Sequence, residues 1–217
     1  MRMVRKPTPR RVYGGQSHED RLIERRRAFV DAAIEIIGTQ GYRAATVRKI
    51  CAEAGLTDRY FYESFGDTEA LLRAAYVELS GRLRDAVVAA LEKAGPSLEA
   101  RTDAGLGAFL EFMRDPRAAR ILLMEVLGVS DAVTALYLQN SQEFAALLLN
   151  ASELLTPLPG QGEERRLLGA ALIGALVYAA GSWALNGYAQ PLATVKRTCR
   201  GVLIGAARQF AAARPRG

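Results

Sequence analysis

The chain has 217 residues, half of them hydrophobic, and 29 Lys and Arg against 23 Asp and Glu give a formal charge of +6. That length suits one large domain or a small domain joined to a larger one, with enough apolar residues for a substantial core. Two distant cysteines, Cys51 and Cys199, exclude a disulfide framework and match no zinc-ligand spacing, so a reducing cytoplasm is the expected compartment.

Residues 1–18 read as a flexible basic arm. Arg2, Arg5, Lys6, Arg10 and Arg11 carry positive charge, two prolines oppose helix, and no apolar stretch suggests a secretory signal. From Glu19 a helical pattern begins, with Phe29, Ala32, Ala33, Ile36 and Ile37 on one face and Gly38 and Gly41 marking its end. A short second helix follows Thr46 as N-cap, carries Val47, Ile50, Cys51 and Ala54 as its stripe, and ends at Gly55. Thr57 is placed to cap a third helix, with Leu56 and Phe61 as a hydrophobic staple. Helix, tight turn, helix over residues 46–65 fits the helix-turn-helix motif.

Asp67 is the expected cap of a long fourth helix over about 67–94, along which Leu72, Tyr76, Leu79, Leu83 and Val87 step by three or four. Further helices are predicted at about 98–114, 116–128 and 131–155, with Pro116 tolerated in a first turn. The loop TPLPGQG at 156–162 precedes two long helices, about 163–187 and 191–213. No sustained period-two alternation appears, so the expected class is all-α. The organisation is a basic arm (1–18), a small helical module (19–66) and a larger domain (67–217).

The third helix carries four aromatics within six residues: Tyr60, Phe61, Tyr62 and Phe65. At about 100° per residue, an inward Phe61 brings Phe65 to nearly the same side and turns Arg59 and Glu63 outward, with the two tyrosines on the flanks. Such a helix fits a DNA major groove, which admits one helix. Arg59 on the crest is placed to fork onto guanine, and the tyrosine hydroxyls and the N-terminal Thr46 and Thr57 to reach phosphates. The candidate DNA contacts are Thr46, Arg48, Thr57, Asp58, Arg59, Tyr60 and Tyr62, with Arg10 and Arg11 of the arm. Seen alone, the helix reads better as one with Arg59 and Glu63 as an i, i+4 pair on a solvated face and the tyrosines as ordinary core edges. The capped helix before the turn and the basic arm favour the duplex.

From about Arg21 to Leu72 the chain resembles the tetracycline-repressor (TetR) family of transcriptional regulators. The resemblance rests on Gly41-Tyr42, Thr46, Ile50-Cys51, Ala54-Gly55-Leu56-Thr57, and Tyr62 followed by Phe65. Three features depart from the usual pattern: Arg59 stands where many members have Gly, Thr68 stands where many have a phosphate-binding Lys, and the basic arm before residue 19 is longer than in the shortest members. The resemblance implies an N-terminal three-helix DNA-binding module and a helical effector-binding and dimerisation domain, about nine helices in all. It also implies a homodimer bound to a near-palindromic operator and released by a small ligand.

In that plan the last two helices pack across a two-fold axis. Leu168, Leu172 and Ala175, with Val195, Cys199, Val202, Ala206 and Phe210, form the candidate interface. Composition nominates Phe109, Phe112, Met113, Met124, Tyr137, Phe144 and Trp183 as walls of an effector pocket, with Asn140, Gln142 and Tyr178 to orient the ligand. Their apolar character favours a hydrophobic effector, and no cofactor or metal is expected.

Two other classes compete. Residues 167–195 contain no charge and are long enough to span a bilayer, which admits a membrane-anchored DNA-binding protein using 167–189. The segment is Ala- and Gly-rich and ends near Pro191, which suits a tightly packed helix without a membrane. An all-α enzyme using carboxylates is the remaining alternative. No nucleophile elbow, P-loop or dinucleotide fingerprint supports it, and the lone His18 lies in the arm.

Overall fold

A computed structural model describes residues 18–151 and 162–212 of the chain. Among the described residues there are nine α-helices and no strand. They are α1 (His18–Gln40), α2 (Val47–Ala54), α3 (Asp58–Ser64), α4 (Thr68–Glu92), α5 (Leu98–Phe112), α6 (Pro116–Arg120), α7 (Asp131–Ala151), α8 (Gly162–Leu185) and α9 (Leu192–Ala212). A 3-10 turn, Tyr42–Ala44, joins α1 to α2, and a π turn, Ile121–Glu125, continues α6.

Local chemistry sets most of the helix ends. Thr46 Oγ1 accepts from Lys49 N, Asp67 Oδ1 from Ala70 N at 2.7 Å, and Ser97 Oγ from Ala100 N. Each satisfies one of the orphan donors of a first turn. Gly55 closes α2 with φ of 65°, and Leu56 N donates back to the Cys51 carbonyl at 3.0 Å. The positive φ at this turn is where glycine is needed. Thr57 precedes α3, but its side chain makes no capping hydrogen bond; its carbonyl instead accepts from Tyr60 N and Phe61 N.

Two sequence expectations change. Gly38 does not end α1, which runs on to Gln40. The bare Cα lets α6 cross against it: a Cβ there would lie 2.4 Å from the Arg117 Cβ and 2.7 Å from its Cα. The helix expected over 116–128 is a single α turn followed by the π turn. Its wider winding brings Arg120 and Glu125, five apart, into an ion pair at 2.9 Å while Ile121, Leu122 and Val126 all stay buried. The loop at 156–161 and the end of the helix expected over 131–155 lie outside the described residues.

One core runs the length of the molecule. In the N-terminal module it holds Phe29, Ile37, Ile50, Phe61 and Phe65; it continues through Leu71, Leu72 and Tyr76 of α4 into Leu110, Met113 and Ile121. α4 thus belongs to both parts, since its first turns pack under the module and its remainder lines the bundle.

Candidate nucleic-acid interface and ligand cavity

The short helix α3 is anchored by its rings. Phe61 is fully buried and Phe65 nearly so. Phe29 of α1 meets both edge-on, with centroids 5.6 and 6.3 Å away. Aromatic contacts of this kind add about 0.5–1.5 kcal/mol each beyond area burial. Arg26 reinforces the far end of α3: its guanidinium covers the Phe65 ring at 4.3 Å and its Nη1 donates to the Ser64 carbonyl at 2.9 Å.

The opposite side of α3 faces solvent. The Arg59 side chain is 82% exposed and pairs through Nε with Glu63 Oε1 at 3.0 Å. Both readings of this pair therefore meet in one geometry, an i, i+4 pair on an open crest. Exposed ion pairs contribute only about 0.3–0.5 kcal/mol, so Arg59 can exchange Glu63 for another acceptor at little cost. Tyr62 is 61% exposed. The flank tyrosines are unequal, because Tyr60 is half-buried with the Arg25 guanidinium 3.8 Å from its ring centroid. Thr46, Arg48, Thr57 and Asp58 are exposed at the start of the two helices. Asp58 Oδ1 accepts from Arg59 N. Arg10 and Arg11 lie outside the described residues.

Lys49 and Arg43, not singled out from the sequence, are exposed beside this face; Lys49 Nζ donates to Gln40 Oε1 at 3.0 Å. Their signal was ordinary, since lone cations on a polar surface have no pattern. Thr68, where a phosphate-binding lysine is common, is half-buried with its Oγ1 3.4 Å from the Tyr42 hydroxyl.

In the larger domain a cavity of about 140 Å³, partly open to solvent, lies among α4, α5, α7, α8 and α9. Four residues nominated from composition line it: Phe109, Met113, Tyr137 and Phe144. The others do not. Phe112 and Met124 are half-buried outside it, and Tyr178 is 80% exposed on α8. Gln142 is exposed as well. Trp183 is buried beyond the cavity, donating Nε1 to the Gln190 carbonyl at 2.9 Å and stacking edge-on with Tyr188. Asn140 is buried behind the wall, close enough to the Tyr76 phenol to oppose its rise in pKa. These misses share a cause: composition ranks a residue by type, whereas its angular position on the helix decides which interior it meets.

Missed from the sequence were Tyr76, Ser80, Leu83 and Val87 of α4 and Arg101 and Thr102 of α5. The α4 stripe is visible in the sequence, but as core; nothing in its spacing says that part of it borders a void. Burial pushes the Tyr76 phenol up to about 12, against opposing hydrogen bonds from Asn140 and Ser80. It therefore stays neutral and able to donate throughout the physiological range.

Between cavity and DNA-binding module lies a polar latch. Glu125, in the π turn whose Leu122 and Leu123 line the cavity, accepts the Tyr42 N–H at 2.8 Å. Arg120 Nη1 donates to the Thr39 carbonyl at 2.8 Å, and Arg117 Nη1 to Glu35 Oε2 at 2.8 Å. Hydrogen bonds to Asp115 first, then to Glu35, raise the Arg117 pKa and keep it charged. One short segment thus touches the cavity and grips the end of α1 where the chain turns into α2.

The candidate dimer residues separate into two sets. Leu172 and Cys199 are buried in the protomer's own core, and Leu172 also lines the cavity, so neither faces a partner. Their helical neighbours take the outer side: Ala175 and Val202 are exposed, as are Leu167, Gly174, Tyr178 and Gly205. Leu168, Val195 and Ala206 are intermediate, and the Phe210 side chain lies outside the described residues.

Comparison with known proteins places the resemblances. Residues 29–75 match the family model of bacterial regulatory proteins, tetR family. The HTH-type transcriptional regulator BetI of Rhizobium meliloti (strain 1021) is 43% identical over 75 residues, which are 35% of this chain and 37% of that one. The chain thus matches well under half the length of that curated relative. Over most of the chain the likeness is one of fold. The fatty acid degradation regulator FadR from Bacillus halodurans superposes with a TM-score of 0.71 at 20% identity, covering 83% of this chain and 95% of that one. FadR from Bacillus subtilis, solved in complex with stearoyl-CoA, gives 0.70 at 17% identity, covering 82% and 96%.

Proposed function

We infer that this chain, which belongs to the TetR family of bacterial regulatory proteins, is a homodimeric repressor that leaves its operator when a small hydrophobic ligand fills the cavity. The observation that carries the DNA-binding half is the division of α3, with Phe61 fully buried and Arg59 bare on the opposite side. A rigid inner face holds the outer one at a fixed attitude, as a recognition helix requires. Arg59 would read a guanine edge; Tyr62, Thr46, Thr57 and Arg48 would meet phosphate, and Arg10 and Arg11 would add counterion release. Asp58 would orient the Arg59 backbone and not meet the duplex.

Two recognition helices need a two-fold axis. The outer side of α8 and α9 supports one there, because Gly174, Ala175 and Gly205 allow close helix approach and Tyr178, Leu167 and Val202 give apolar area. α8 is also long and apolar enough to cross a membrane, with a mean hydropathy of 1.7 over its most apolar stretch. Its small-residue outer face is better suited to a second copy than to lipid. Full-length chain retained in washed membranes would overturn that choice and the cytoplasmic location with it.

The ligand half rests on the apolar cavity and the latch. A ligand that displaces Leu122 or Leu123 must move Glu125, and with it the Tyr42 end of the module, which is a differential contact of the kind allostery requires. A hydrophobic effector is in keeping with the stearoyl-CoA bound to the Bacillus subtilis neighbour. Selection of bound duplexes from random DNA, with and without hydrophobic metabolites, tests the whole reading. A two-fold symmetric site lost on adding ligand is expected; recovery of no preferred sequence would refute it.

A further inference from the structure

The polarity of the cavity is distributed along its length. The middle is hydrocarbon, with Leu83, Val87, Phe109 and Phe144. Tyr76 and Ser80, near the start of α4, bring hydroxyls to the end nearest the DNA-binding module, and Tyr137, Ser141 and Thr102 add others along the wall. At the other end stands Arg101, the one charged residue among the described residues that line the cavity. Its Nε donates to the carbonyl of Ala151, the last residue of α7, at 2.6 Å. That bond fixes the side chain through its inner nitrogen; the two outer nitrogens form the fork that pairs with carboxylates and phosphates.

Shape adds a second constraint. From Tyr76 to Leu91 the α4 wall runs roughly 20 Å at the helical rise per residue. A lining that extends so far along α4 makes the cavity long for its volume, a slot that suits an unbranched chain. Arg101 is half-buried and no acidic residue stands among the described lining, so an anionic ligand would meet an unopposed cation there.

We propose that the ligand is an unbranched alkyl chain ended by an anion, with the anion on Arg101 and the chain directed toward Leu122 and Leu123. This rests on the cavity being the effector site. It also gives the ligand a direction, since its apolar tail, not its charged head, would reach the π turn that carries Glu125. The anion is either the carboxylate of a free acid or a phosphate of the carrier in an acyl thioester.

Titration calorimetry on the full chain with decanoate, decanol and decanoyl-CoA tests this, using wild type, Arg101→Gln and Arg101→Lys. Decanoate is expected to bind wild type about 10- to 100-fold more tightly than decanol, the range for a hydrogen-bonded charge. Arg101→Gln should abolish that preference and Arg101→Lys retain part of it. Unchanged decanol affinity in both variants would establish that the slot is intact. If decanoyl-CoA binds more tightly than decanoate and loses that advantage in Arg101→Gln, the carrier phosphate is the anion; if it is excluded, the free acid is. Equal binding of decanoate and decanol to wild type with no Arg101-dependent advantage for decanoyl-CoA, or a preference that survives Arg101→Gln, overturns the anion assignment while leaving the cavity as effector site. Failure of all three probes to bind overturns the effector site itself, and the proposal with it.

Discussion

In the DNA-binding module Phe29, Phe61 and Phe65 meet with centroids 5.6 to 6.3 Å apart. In the larger domain Phe109 and Phe144 border a cavity of about 140 Å³. The same residue type fills space in one region and lines it in the other, although a single core joins them. On the proposed function, α3 presents Arg59 at a set angle and gains from dense packing, because a dense interior transmits displacement without absorbing it. On the same proposed function, the larger domain admits a ligand and gives up contacts to keep room, at a cost that scales with the void. The latch at Glu125 lies where the two regimes meet.

The largest effect that would break this contrast is Phe61→Ala. Truncating a fully buried ring should cost about 3–5 kcal/mol and unfold the module, read as a lost or early thermal transition together with lost DNA binding. The same change at Phe109, which already borders empty space, should cost clearly less; equal losses would mean the two regions are not packed differently. Gly38→Ala comes next. Its Cβ would meet the Arg117 backbone, which cannot swing aside, so α6 must move off α1 at about 1–3 kcal/mol. Operator affinity in ligand-free protein should fall; an unaltered affinity would show that the α1–α6 crossing does not set the attitude of the module.

Glu125→Ala leaves the Tyr42 N–H without its acceptor, at about 1–3 kcal/mol. Its sharper readout is the ratio of operator affinities with and without ligand, which should shrink toward one while ligand affinity is kept. A full ratio in this variant would remove the latch from the mechanism. Arg59→Ala should leave the melting temperature nearly unchanged, since its pair is exposed, yet cost about 1–3 kcal/mol on the operator with relaxed sequence preference. Loss of equal size on random DNA would make it a phosphate contact. Smallest is Gly105→Ala on the cavity wall, whose Cβ would sit 3.4 Å from Leu91 in a helix interior. It should stabilise the protein by up to about 1 kcal/mol and weaken ligand binding.

Much of the module was legible from the chain alone, because its signals are local. Thr46, Gly55 and Asp67 act through hydrogen bonds and dihedrals a few residues long, and the inward turn of Phe61 with the outward turn of Arg59 follows from helical periodicity. The unequal tyrosines were not legible, since Arg25 reaches Tyr60 from a helix about 35 residues away in sequence.

The sequence by itself determined the all-α class, the helix-turn-helix and the caps that bound it, since each depends on residues within one or two turns of each other. Only the tertiary structure decided that Leu172 and Cys199 face inward while Tyr178 faces out, that Gly38 is a crossing point and not a terminus, and that Arg101 stands on the wall of a mostly apolar cavity. Those outcomes depend on which helix arrives opposite each residue, and periodicity gives a helix a face without naming its neighbour.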